Sequence, residues 1–107
     1  MAKGGRYELI YDREVWNHVS KIDRKYHSLI RREIKRQLAY LPDLEARNRK
    51  PLLRPSIFGP AWELRFGPEN RFRVFYRTDR EVRRVYILAV GVKIKERLYI
   101  GGKEFEL

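Results

Sequence analysis

The sequence predicts an α+β fold: a short N-terminal strand, then two antiparallel helices packed on one face of a twisted antiparallel sheet of about four strands. Three observations lead there. Apolar residues recur at three- and four-residue steps between residues 12 and 42. From Ala61 onward the period changes to two. The order is one strand, two helices and three consecutive strands joined by short turns, which segregates the helices from a meander.

Each element follows from its residues. Tyr7-Glu8-Leu9-Ile10-Tyr11 is short, aromatic and aliphatic, as a strand requires. Asp12 can cap a helix in which Val15, Trp16, Val19 and Ile22 fall at helical spacing. Asp23 offers a second start, followed by Tyr26, Leu29, Ile30, Ile34, Leu38 and Leu41, with Arg31, Arg32, Lys35 and Arg36 between them. Pro42 closes that helix. The break at 20–24 is short, so the two helices should run antiparallel. Residues 42–60 hold four of the five prolines and the cations Arg47, Arg49, Lys50 and Arg54, the composition of a long surface loop. Trp62, Leu64 and Phe66 then alternate with Ala61, Glu63 and Arg65. After the turn Gly67-Pro68-Glu69-Asn70, Phe72, Val74 and Tyr76 alternate with Arg71, Arg73, Phe75 and Arg77. Thr78 to Glu81 is a second turn, Val82 to Val90 a third strand, and Gly101-Gly102 a turn.

Size and charge bound the function. The 107 residues make one domain, 1–107. Zero cysteines exclude disulfides, thiolate zinc sites and cysteine nucleophiles. No stretch approaches the roughly 20 apolar residues of a membrane span, and Met1 to Arg13 has no apolar run of the kind a signal peptide needs. A cytoplasmic protein with no membrane partner is expected. The net charge of +11 attracts polyanions, and 17 Arg against 8 Lys favours phosphate or carboxylate partners held bidentately.

Parity places that charge. If Trp62, Leu64, Phe66, Phe72, Val74 and Tyr76 face the helices, then Arg65, Arg71, Arg73 and Arg77 share the opposite face. Like charges side by side destabilise a sheet unless an anion lies across them, and phosphates would do so. Lys93, Lys95, Arg97 and Tyr99 follow, adding charge for a phosphate and a ring for a base. His18 and His27 lie nine residues apart, off a common helical face, and read as surface filler. No carboxylate cluster has metal-ligand spacing and no glycine-rich loop has phosphate-binding form, so neither metal nor cofactor is expected. Catalysis without metal is open to RNA chemistry, where cations hold the phosphate and a 2′-hydroxyl attacks.

At these residues the chain resembles the RelE/ParE superfamily of toxins from type II toxin–antitoxin modules. The pattern is Trp62-Glu63-Leu64-Arg65, then Phe72-Arg73-Val74-Phe75-Tyr76, then Ile87-Leu88-Ala89-Val90-Gly91 followed by Lys93 and Tyr99, and it spans roughly residues 7–100. The resemblance implies a RelE-like fold and two alternative activities. RelE-like members are ribosome-dependent mRNA endonucleases (mRNA interferases) that inhibit translation; ParE-like members poison DNA gyrase. RelE-like enzymes place catalytic groups at positions matching Arg73, Lys93 and Tyr99, which favours RNA cleavage. Arg65 matches a further basic position, and Arg71, Arg77, Lys50, Arg54 and Lys95 are the expected RNA-binding cations. RelE-like enzymes often carry two lysines where this chain has Ala61 and Glu63. Either Lys50 or Arg54 then substitutes, or Glu63 acts as the base, or activity is reduced. The implied partners are a cognate antitoxin in a hetero-oligomer, the ribosome and mRNA. A non-catalytic nucleic-acid-binding module is the remaining alternative.

Overall fold

Alternating apolar residues build the centre of a seven-stranded sheet. The computed structural model describes residues 5–53 and 56–106; Arg54, one of the expected cations, lies outside the described residues. The strands are β1 (Glu8–Tyr11), β2 (Arg49–Pro51), β3 (Trp62–Phe66), β4 (Phe72–Asp79), β5 (Arg84–Ile94), β6 (Arg97–Ile100) and β7 (Lys103–Phe105). They lie in the order β2-β3-β4-β5-β6-β7, all antiparallel, with β1 added to β5.

The sheet differs from expectation in three ways, each with a physical reason. First, β1 pairs parallel with β5, through Glu8↔Arg84 to Tyr11↔Ile87. β5 is eleven residues long, and β6 covers only Gly91 to Ile94, so β1 fills the other half of the same edge. Second, the expected 42–60 loop contains β2, which pairs with β3. Third, the segment after Gly91 is strand rather than tail. Two-residue turns at Lys95-Glu96 and Gly101-Gly102, all at positive φ, fold it into β6 and β7.

The helices are α1 (Val15–Ser20) and α2 (His27–Leu38), with a 3₁₀ turn at Arg24–Tyr26 between them. Asp12 accepts from Glu14 N at 2.9 Å in the turn before α1, whose N-cap position is Glu14, and Asp23 accepts from Lys25 N at 3.1 Å and caps the 3₁₀ turn, so neither aspartate is the N-cap of an α-helix as its spacing suggested. α1 is shorter than its apolar spacing suggests. Trp16 is 74% exposed and Leu41 lies beyond the end of α2, also exposed. Ile30, Ile34 and Leu38 are buried along one stripe of α2. They meet Leu64, Phe66, Phe72, Val74, Tyr76, Val85, Ile87 and Val90, as parity predicts. Each such aliphatic side chain contributes about 1.5–3 kcal/mol by leaving water. The Tyr76 hydroxyl donates to Pro42 O at 2.6 Å, tying the end of the helical layer to the sheet. Burial pushes the Tyr76 phenol well above its ordinary range.

Both histidines have structural bonds rather than filling surface. His18 Nδ1 accepts from Val90 N at 3.2 Å, and His27 Nε2 meets Ile22 O at 2.8 Å. The second sheet face is also not purely basic. Phe75 and Ala89 pack there with Leu98 and Ile100, and Phe58 stacks on Phe75 at 5.2 Å between centroids. A bulge in β5 makes this possible. Phe75 pairs with Ala89 but Tyr76 with Ile87, leaving Leu88 extra, so Ala89 turns to the second face while Ile87 and Val90 both face the helices.

Candidate anion-binding site

The face opposite the helices carries the candidate site, and strand pairing decides which residues meet. Arg65 and Arg73 are direct cross-strand partners, as are Glu63 and Phe75. Two guanidiniums so placed would repel. Glu63 resolves this by accepting from both: Arg65 Nε at 2.9 Å on one oxygen and Arg73 Nη1 at 3.2 Å on the other. The carboxylate is nearly enclosed, at 7% side-chain exposure, and Arg73 is at 11%. Arg73 Nε also donates to Asn70 O at 3.0 Å. That carbonyl is presented by the tight turn at 67–70, where Glu69 and Asn70 both take positive φ. Arg73 is therefore oriented from two sides, while Arg65 is held at one nitrogen and remains 48% exposed.

Gly91 stands opposite Arg73 on β5. A Cβ there would approach Tyr99 O at 2.9 Å and the Leu98 and Ile100 side chains at 3.0 Å, so only glycine lets β6 close onto this point. Two residues on, Lys93 N donates to Arg71 O at 2.7 Å. Its side chain joins Glu63 and Arg73 in an open cleft of about 340 Å³. The far wall is bordered by Glu96, Arg97 and Leu98, with Glu104 and Phe105 of β7 and Glu106 just after it.

Of the expected site residues, Arg73, Lys93 and Glu63 line this cleft. Arg65 joins them through Glu63, and Lys50 flanks them as the cross-strand partner of Glu63, with its ammonium 3.9 Å from Glu45. Arg71 adjoins Lys93 through its carbonyl, while its guanidinium pairs with Glu69. Arg77 does not join. The Phe58–Phe75 stack intervenes and its guanidinium lies over the Tyr86 ring. Lys95 sits exposed in the β5–β6 turn.

Tyr99 needs a correction. The two-residue turn at Lys95-Glu96 pairs Lys93 with Leu98 and Val92 with Tyr99. Tyr99 therefore shares the helix face with Val92, lining a hollow with His18 and Lys21 on the opposite side of the sheet from Arg73. Glu104 and Glu106, which also border the cleft, were not singled out from sequence. Counting outward from the two-residue turn at Lys95-Glu96 puts Leu98 on the face of Lys93 but Arg97 on the helix face with Tyr99, and Glu104, opposite Tyr99, follows them.

Among the described residues no group of three or more His, Cys, Asp or Glu could hold a metal ion. No described helix is long and apolar enough to cross a membrane. No protein-family model matches this sequence, and no curated protein does. Among solved structures, the chain is similar to one in the toxin–antitoxin complex RelBE2 from Mycobacterium tuberculosis. The TM-score is 0.69 at 22% identity, over 87% of this chain and 98% of that one. At that identity the likeness is one of architecture, and it assigns this chain the RelE-like α+β fold.

Proposed function

We propose that this chain is the toxin of a type II toxin–antitoxin system and acts as a ribosome-dependent mRNA endonuclease. One observation carries the reading: a RelE-like fold brings Arg73 and Lys93 to a single cleft, with Arg65 held beside Arg73 through Glu63. The mRNA backbone would lie across this face. Arg73 would bind the scissile phosphate and stabilise the added charge of a pentavalent transition state, its orientation set beforehand by Glu63 and Asn70 O. Lys93 would neutralise the departing 5′ oxygen or supply its proton. The attacking 2′-hydroxyl would leave a 2′,3′-cyclic phosphate and a 5′-hydroxyl.

Glu63 is the carboxylate nearest these cations, yet each of its oxygens already accepts from an arginine. To take the 2′-hydroxyl proton it must release one. Substrate phosphate arriving at Arg73 offers that exchange, since it competes with Glu63 for the same guanidinium. Lys50, beside Glu63 on β2, is placed to replace the lysines that RelE-like enzymes often carry at the positions of Ala61 and Glu63. Tyr99 has no part in this scheme because it faces away.

The partner implied is a cognate antitoxin that covers the cationic face and neutralises it. The test is incubation of the purified chain with programmed ribosomes, mapping mRNA ends by primer extension, with naked mRNA alongside. Cuts within the A-site codon that vanish with Arg73→Ala are the expected result. Intact mRNA in both tubes, with linearised plasmid when gyrase is supplied, would overturn the nuclease reading in favour of gyrase poisoning.

A further inference from the structure

Strand β4 carries a further arginine that the cleft does not use. Alternation from Arg73 through Phe75 puts Arg77 on the face opposite the helices, and its partner across the ladder, Tyr86 of β5, faces the same way. The Arg77 guanidinium lies over the Tyr86 ring, 5.9 Å from its centroid. Arg77 is exposed and Tyr86 half-buried, so the pair stands at the surface of that face.

Arg77 is held differently from the arginines of the cleft. Arg65 and Arg73 spend N–H donors on Glu63, and Arg73 spends another on Asn70 O. An aromatic face orients a guanidinium through its charge and its plane and consumes no N–H. Arg77 makes no ion pair among the described residues. The two carboxylates that share its end of the face are engaged elsewhere. Glu8 pairs with Arg84 at 3.4 Å, and Asp79 accepts from Glu81 N at 3.1 Å and Val82 N at 3.4 Å in the β4–β5 turn. Between Arg73 and Arg77 lies the Phe58–Phe75 stack, whose half-buried Phe58 offers apolar surface to a base or sugar.

Four residues of extended strand span about 13 Å, so no single phosphate reaches both Arg73 and Arg77. An RNA strand running along β4 presents a phosphate to each. We propose that Arg77, on its Tyr86 platform, is a second phosphate site that holds the RNA backbone away from the scissile bond, with Tyr86 as its positioning residue. This rests on the reading that the Arg73 cleft binds RNA. Each phosphate neutralised on a single strand adds about 0.7 to the slope of log affinity against log salt, which is about fivefold in affinity between about 1 M and about 0.1 M salt.

The test is fluorescence anisotropy of labelled 2′-O-methyl RNAs, which cannot be cleaved, against the full chain over a range of salt. One RNA is a decanucleotide; the other is a trinucleotide, whose phosphates lie too close together to reach both arginines. Arg77→Gln is expected to weaken the decanucleotide about fivefold at about 0.1 M salt and to lower its slope by about 0.7, with little effect on the trinucleotide. Lys25→Gln removes the same charge from a similar pair, Lys25 over Tyr26 at 5.2 Å in the helical layer, and should leave the slope unchanged. Tyr86→Phe keeps the ring and should bind like wild type. Tyr86→Leu should lose about twofold while keeping the slope, because the charge stays and its platform goes. A slope unchanged by Arg77→Gln, an equal fall with Lys25→Gln, or equal losses on the two RNAs overturns the second site. Wild-type affinity of Tyr86→Leu overturns the role of its ring. The two readings fail separately. If Arg73→Ala weakens both RNAs while Arg77→Gln changes neither, the second site alone is lost. If Arg73→Ala binds like wild type, the assignment of the cleft to phosphate is lost.

Discussion

The Glu63–Arg73 pair is the most enclosed ion pair among the described residues, and its strength can be worked out before it is measured. Two unit charges about 4 Å apart at an effective dielectric near 20 attract by about 4 kcal/mol, and desolvation of both groups offsets part of it. A net coupling of about 2 kcal/mol is expected. The Arg65–Glu63 pair has a similar length but an arginine that is half exposed, so its coupling should stay below about 1 kcal/mol. Glu63→Gln alone should cost about 3 kcal/mol, because it leaves Arg73 enclosed and directly opposite Arg65. The assay is urea unfolding of Glu63→Gln, Arg73→Met and the double variant, with the corresponding cycle for Arg65. Trp62 reports it well, since it stacks on buried Tyr76 beside the site. Equal couplings in the two cycles would refute the reasoning: Arg73 would then be an ordinary surface cation, and Glu63 would not orient it.

Three further outcomes follow from particular contacts. Tyr99→Phe should leave A-site cleavage within about threefold of wild type, because its hydroxyl is on the helix side of the sheet; a hundredfold loss would show that the chain reaches its active state through a different pairing of β6. Tyr76→Phe should lower unfolding stability by about 1–2 kcal/mol, since Pro42 O loses its buried donor; an unchanged urea midpoint would contradict that bond. His18 is held below its ordinary pKa of 6.5, first by burial, with Glu14 and Asp12 opposing. Unfolding raises its proton affinity, so stability should fall as pH drops below about 6.5 toward the folded value. His18→Asn keeps an acceptor for Val90 N without titrating. Thermal melts from about pH 8 to pH 5 should therefore decline less for that variant, and parallel curves would remove His18 as the cause.

How much of the site was legible depended on which rule each residue obeys. Glu63, Arg65, Arg73 and Phe75 share a face because alternation along β3 and β4 is unbroken, and alternation needs no knowledge of partners. Lys93 follows from the same count, carried through Gly91. Tyr99 was misplaced because its facing depends on a turn. One residue more or fewer at Lys95-Glu96 would reverse every side chain of β6. Lys50 could be named but not located until β2 paired with β3. The core stripe of α2 was readable from its period, whereas Trp16 fits the same period and is exposed, since α1 ends after six residues.

Taken by itself, the sequence determined the α+β class, the buried face of the sheet and the placing of Arg65 and Arg73 opposite it. All of these rest on local periodicity and on charge, which are properties of neighbours in the chain. The tertiary structure alone decided that β1 runs parallel to β5, that Glu63 bridges two arginines, and that Lys50 lies across from Glu63. The reason is one of distance along the chain. Each of those contacts joins residues brought together by pairing or packing between strands, and the free energy that selects them comes from filling a long strand's open edge and satisfying buried charge, neither of which any local stretch of residues encodes.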